Sequence, residues 1–313
     1  MGNFSTGKRL GANNTARYRQ KARWCYIMMT PQIIGFLVFT IIPIVWAISR
    51  SWFFYNGIET YTRFIGWENF RLLTKDKQYW QSLLTTIEFA FMKLPIEYPL
   101  ALTIAVLLNK KIRGIGFFRT VYYMPYIISV SIRALIFANL FTFFGFINTF
   151  FTETIPLMSE PIDWFGTKFN ALCVLVLCDV WGTFGLNVLY FLGALQNVPS
   201  DIYEAAEIDG AGKLRQFFSM TLPMIAPTLQ IMLMLSIVGT LGSGEIMLVL
   251  TNGAPGGQTF SVNAYIFSHY APGMDQTGIN IGYGCALSLV TALIMTAITI
   301  GYTKFSKRLN NVF

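Results

Sequence analysis

Two long stretches of this 313-residue chain carry no charged side chain, one from Tyr26 to Ser49 and one between Asp275 and Lys304. Each exceeds the ~20 apolar residues that cross a hydrocarbon layer ~30 Å thick. In lipid there is no water to satisfy backbone N–H and C=O groups, so a spanning segment must be a helix or part of a closed barrel. Barrel strands alternate polar and apolar residues. Ile33, Ile34, Gly35, Phe36, Leu37, Val38 and Phe39 are apolar on every side, so helices are expected. Charged residues make up 12% of the chain, against ~25% in a soluble domain.

Six spans follow, at 26–50, 82–108, 120–145, 171–195, 224–250 and 280–303, which predicts an all-α integral membrane protein. The net charge of +8 would raise nucleic acid as a partner in a soluble chain. Here the basic residues sit in short segments between spans, which points to membrane topology and excludes nucleic acid. One set of segments holds Lys8, Arg9, Arg17, Arg19, Lys21 and Arg23, then Lys110, Lys111, Arg113 and Arg119, then Lys213 and Arg215, and last Lys304, Lys307 and Arg308. The opposite set holds Arg63, Arg71, Lys75, Lys77 and Lys168. That bias places both termini in the cytoplasm, with an even number of spans through the lipid bilayer of the cell membrane.

The expected organisation is a basic cytoplasmic tail (1–25), a first transmembrane helix (26–50), an external loop (51–81), a helical core (82–303) and a cytoplasmic tail (304–313). The external loop is rich in tryptophan and suits a helix at the headgroup layer. The first span is too long for the apolar region of a signal peptide and is expected to be retained. Cys25, Cys173, Cys178 and Cys285 lack metal-ligand spacing and are expected to be small buried hydrophobes. His269 is expected on the surface of an external loop.

The loop 196–223 carries the most information. Pro199 and Ser200 precede a short helix in which Asp201 and Glu204 have capping-box spacing. Gly210 and Gly212 supply a break, a second short helix follows with Phe217, Phe218 and Leu222 on one face, and Pro223 opens the next span. Ala205, Ala206 and Gly210 would let another protein's surface approach closely, while Glu204 and Asp209 could anchor to its basic groups. From the residues alone, a docking knob and an amphipathic helix lying on the membrane are equally good readings.

Glu204-Ala205-Ala206, Gly210 and Leu222-Pro223 stand at the spacing of the EAA signature of binding-protein-dependent ABC importer permeases, with Met220 where the pattern has isoleucine. The loop is similar to that of the carbohydrate branch, through Asp209-Gly210-Ala211, Phe217 and Pro227. Arg119 with Met124-Pro125-Tyr126, Trp181 with Gly193, Leu195 and Pro199, and Leu250-Thr251-Asn252-Gly253-Ala254-Pro255 resemble further family segments. The resemblance implies the type I importer (MetI-like) permease fold over 82–303, with 196–223 as the coupling loop. It also implies a second homologous permease, two cytoplasmic ABC ATPases, an external solute-binding protein and a carbohydrate substrate. No phosphate-binding Gly-x-x-x-x-Gly-Lys motif occurs in the chain, so this subunit is expected to be no enzyme and to bind no cofactor, with ATP and magnesium on the partner.

Glu88, Lys93, Glu97, Arg133, Asp179 and Glu245 fall inside predicted spans, where each needs a partner or water. Lys93 and Glu97, four residues apart, are expected to pair. Arg133 could line a pathway or pair with an acid on another helix. Tyr126, Asp179, Trp181, Thr183, Ser236, Thr240 and Glu245 offer the mixture of hydrogen-bonding groups and ring faces that sugars need along a substrate pathway, and resemblance to maltose-type permeases implies a sugar site near Tyr126, Asp179, Thr183, Ser236 and Thr240. Within the family, permeases for a polyol or glycerol phosphate share the loop signature, and two other functions compete. An ion-driven secondary transporter predicts repeats and matched broken helices, which the sequence lacks. An intramembrane enzyme lacks a base near Ser243.

Overall fold

A computed structural model describes residues 6–109, 114–154, 160–270 and 280–310, with side chains from residue 21 to residue 306. Lys110, Lys111 and Arg113, and the side chains of Lys8, Arg9, Arg17, Arg19, Lys307 and Arg308, lie outside these. Among the described residues, five helices are long and apolar enough to cross a membrane, and a pair of helices bent by 91° makes a sixth candidate span when counted as one.

The chain opens with α1 (Thr6–Phe36), a π-turn at Leu37–Ile41 and α2 (Ile42–Arg50). Helix therefore begins well inside the segment expected to be a tail. Cys25 is exposed on it, contrary to the expectation of burial. Large apolar side chains face outward along this rod, including Phe39 and Met28, as befits a helix whose solvent is lipid.

A two-stranded hairpin follows, with β1 (Phe53–Phe54) antiparallel to β2 (Arg63–Phe64), and then α3 (Glu68–Lys75). Arg50 pairs with Glu59 at 2.8 Å. The Asn69 amide donates to the Ser51 and Phe53 carbonyls at 2.9 and 3.0 Å, locking hairpin to helix.

The core is built on α4 (Lys77–Leu108) and α8 (Lys168–Gln196). Both starts are capped: Asp76 accepts from the Tyr79 N–H and Thr167 from the Asn170 N–H, satisfying donors that a helix leaves open at its first turn. Between them run α5 (Ile115–Ile127), α6 (Val130–Leu140) and the single turn α7 (Phe146–Thr149). The predicted span 120–145 is thus two helices. Ile128 and Ser129 are extended between them, just after Pro125, whose ring removes a backbone donor.

Both halves of this broken span lie on α8 at glycines. A β-carbon at Gly185 would lie 2.1 Å from the Tyr122 carbonyl oxygen of α5, and one at Gly182 would lie 1.0 Å from Arg133 Nη1 of α6. Small residues allow such close helix crossings in a membrane. The Arg133 guanidinium is buried in this notch.

After α8 come α9 (Ser200–Ile208), α10 (Lys213–Gln216), a π-turn at Phe217–Thr221 and α11 (Leu222–Gly242). The expected second short helix does not stand alone: Lys213–Gly242 runs as one span. That span ends at Gly242, not at residue 250. Ser243 and Gly244 turn the chain into α12 (Glu245–Leu250), so Glu245 begins a separate short helix rather than sitting mid-span.

The chain ends with α13 (Val262–Ser268) and α14 (Ile281–Asn310). Here the Asp76 carboxylate accepts from the hydroxyls of Tyr265 and Tyr283 at 2.7 and 2.6 Å, tying α4, α13 and α14 together at one end of the bundle. His269, expected on the surface, is buried with its ring edge-on to the same two tyrosines.

Candidate coupling loop and transport cavity

At the opposite end of the bundle, α9 projects from the helix termini as an elbow. It starts two residues earlier than the capping-box spacing implies, with Pro199 rather than Asp201 at the N-cap and no side-chain cap. Its other end is closed tightly. Gly210 adopts φ +74°, a left-handed conformation that costs glycine little. The Gly210 N–H then donates to the Glu207 carbonyl at 3.1 Å and the Ala211 N–H to the Ala206 carbonyl at 2.9 Å. These two bonds form the Schellman closure.

The elbow is pinned from beneath. Ala206 is buried, the Tyr203 hydroxyl meets the Thr221 hydroxyl at 2.9 Å, and the buried Gln216 amide donates to the Ala211 carbonyl at 2.9 Å. Its outer surface presents Glu204, Ala205, Glu207, Asp209 and Gly210. Ile208 and Leu214 flank the turn at 87% and 77% exposure, an unusual state for large aliphatic side chains beside water. Lys213 pairs with Glu207 across the turn, and its hydrogen bond and charge hold the Glu207 carboxyl below the usual carboxylate range. Leu222 and Pro223 lie behind, at the start of α11.

A cavity of ≈ 290 Å³ opens between α4, α8 and α11, near the lower end of the ~300–1,000 Å³ range of ligand cavities. Asp179, Thr183, Ser236 and Thr240 all line it. Residues spaced by three and four share a helix face, so Asp179, Thr183 and Asn187 come together from α8, and Ser236 and Thr240 from α11, with Ser243 just past its end. Tyr126, Trp181 and Glu245 stand apart from it. The Trp181 ring faces Phe137 of α6 at 5.7 Å, two residues on from Asp179 and so across the helix. Tyr126 stacks beside Tyr123 on α5, and Glu245 accepts a hydrogen bond from Ser131.

The cavity also contains residues absent from the sequence-based pathway set. Lys93 and Glu97 of α4 line it. Lys93 Nζ lies 2.7 Å from Asp179 Oδ2 and 3.6 Å from Glu97 Oε2, so its closer partner is the acid on another helix. Glu97 Oε1 accepts from the Thr183 hydroxyl at 2.6 Å and the Asn187 amide at 2.8 Å. Tyr98 donates to the Ser236 hydroxyl at 2.7 Å. The i,i+4 spacing of Thr183 and Asn187 was a signal for the latter. Two buried atoms, Glu97 Oε2 and Thr240 Oγ1, have no hydrogen-bond partner among the described residues.

The family described as binding-protein-dependent transport system inner membrane component matches residues 97–311, a span that contains the whole elbow and most of the cavity wall. The chain belongs to that family. It is an importer permease, a multi-pass protein of the cell membrane. It is 31% identical over 295 residues to the trehalose/maltose transport system permease protein MalF of Thermococcus litoralis, covering 93% of this chain and 96% of that one. It is 30% identical over 285 residues to the arabinooligosaccharides transport system permease protein AraP of Bacillus subtilis, covering 90% and 88%. The fold matches a chain of a bacterial ABC transporter involved in the import of the acidic polysaccharide alginate, with TM-score 0.79, 20% identity, and coverage of 94% and 99%.

Proposed function

We propose that this permease carries a carbohydrate from an external solute-binding protein to the cytoplasm by alternating access. It pairs with a second homologous permease, and two separate cytoplasmic ATPases dock on the elbows and supply the energy. The observation that carries the reading is the cavity between α4, α8 and α11. Its hydroxyl, amide and carboxylate groups suit a polyhydroxylated molecule, and Thr240 Oγ1 on its wall has no hydrogen-bond partner among the described residues. The sugar-transport names of MalF and AraP support the same substrate class.

The elbow supplies the drive. A short helix fixed by a left-handed glycine, a buried alanine and two hydrogen bonds moves as a unit with α11. A partner that seats Ile208 and Leu214 and engages Glu204 and Asp209 therefore pushes on the cavity wall. ATP and magnesium belong to that partner, and this chain holds no cofactor of its own. This orientation puts the α9 end and both termini in the cytoplasm.

The test is reconstitution of the copurified assembly in proteoliposomes with a panel of labelled mono- and oligosaccharides. Accumulation of a carbohydrate that requires both ATP and the binding protein is expected. Failure of every sugar in the panel, with ATP-dependent uptake of an amino acid or inorganic ion instead, would overturn the substrate class.

A further inference from the structure

We infer that the cavity is built for uncharged carbohydrate and rejects anionic sugars, with Asp179 and Glu97 as the residues that set this selectivity. The inference rests on the reading of this cavity as the substrate pathway and narrows its cargo.

Among the described residues, Lys93 is the single basic side chain lining the cavity, and it faces two acids there, Glu97 and Asp179. It is already committed. Its ammonium sits 2.7 Å from Asp179 Oδ2 and 3.6 Å from Glu97 Oε2, and all three residues are buried. A uronate, phosphate or sulfonate on an incoming sugar would find no free cation to replace its water. It would have to compete with the Asp179 carboxylate for the one ammonium on the described wall, a contest between like-charged groups out of bulk water. Sugar hydroxyls meet the opposite situation. Thr240 Oγ1 has no hydrogen-bond partner among the described residues, and Ser236, Ser243 and Tyr190 add further polar groups to the lining. Other basic residues of this bundle are directed elsewhere: Arg133 is buried in the Gly182 notch between α6 and α8, and Lys168 pairs with Glu88. The fold alone does not dictate this choice, since its structural relative belongs to a transporter for an acidic polysaccharide.

The experiment uses the complete assembly in proteoliposomes. The probes are the neutral carbohydrate it accumulates and the same sugar oxidised at a primary hydroxyl to the uronate, each at a concentration that saturates the binding protein. Wild type should carry the neutral sugar about tenfold faster or more. Asp179→Asn frees Lys93 from its closest partner and removes one acid, and should narrow that ratio to about threefold or less by raising uronate uptake. Because the same binding protein serves both proteins, the change in ratio reports on the permease. Glu97→Gln provides a second variant should the first fail to assemble. Equal rates for the two sugars in wild type would overturn the inference. So would a ratio unchanged in either variant that still hydrolyses ATP in response to loaded binding protein. Accumulation of no carbohydrate by wild type would instead sink the reading on which the inference rests.

Discussion

The buried cation of α4 shows how residues this costly survive inside an apolar bundle. Lys93 is held between acids from its own helix and from α8, and stranding either sign without the other is far more destabilising than the pair itself is stabilising. Lys93→Met should therefore lower stability by about 3–5 kcal/mol, read as a drop in the thermal midpoint of the detergent-purified protein. Adding Asp179→Asn to the same chain should recover part of the loss, because one orphaned charge disappears. Strictly additive losses would show that the two do not interact. The notch at Gly185 gives a second prediction. With the Tyr122 carbonyl 2.1 Å from where a β-carbon would stand, Gly185→Val must part α5 from α8, at a cost of about 1–3 kcal/mol or more, while Gly193→Val, open on all sides, should leave the midpoint unchanged. The pairing of Lys93 with Glu97 was legible from their spacing along one helix. Its tighter partner, Asp179, was not, because a contact between α4 and α8 leaves no periodic trace in either segment. His269 illustrates the same limit: a polar residue in a predicted loop reads as exposed, whereas Tyr265 and Tyr283 enclose it.

Among the elements, the elbow was the most legible, because glycine, alanine and proline each constrain backbone or approach in a way that sequence records directly. The left-handed turn came at Gly210 as expected. The capping box did not form, since Pro199 takes the N-cap and the exposed first turn can bond water instead. The second short helix merged with α11 through a π-turn, a feature without a residue signature. The mechanics yield a prediction. Gly210→Val places a β-branched residue at φ +74°, where it is an outlier, and should disrupt the closure of α9. Glu204→Lys reverses charge on the exposed face without touching the seat. Each should reduce copurification of the ATPase and sugar uptake by about tenfold or more, with membrane insertion normal by protease mapping. Undiminished uptake in both would remove the elbow from the drive mechanism. The Lys213–Glu207 pair should be silent in such assays near neutrality. A carboxyl held below its usual range contributes above that range and loses its contribution only as pH falls through the lowered value. ATPase coupling should therefore show no step from this pair between about pH 6 and 8.

For the whole molecule, hydropathy located every span but could not show which one was broken. A proline and an extended dipeptide after it turn the third span by 91°, and only packing on the glycines of α8 fixes that bend. The first span stands outside the core and packs mainly through α2 on α14, a relation set by tertiary contact alone. This architecture also bears on the proposed energy source. A carrier driven by protons or sodium binds the coupling ion near the midplane, with helices interrupted at matching positions of two repeats. Among the described residues one span is broken without a counterpart, and the acids of the bundle are engaged: Glu97 and Asp179 with Lys93, Glu88 with Lys168, Glu245 with Ser131. Nothing in that arrangement leaves a carboxylate poised to load and release an ion during each cycle. In proteoliposomes holding ATP, collapse of the proton and sodium gradients by ionophores should leave uptake within about twofold of its starting rate, whereas depletion of ATP with the gradients intact should stop it. The reverse pattern would mean that the exposed elbow transmits no work, and that the buried acids of α4 and α8 exchange ions despite the pairing seen between them.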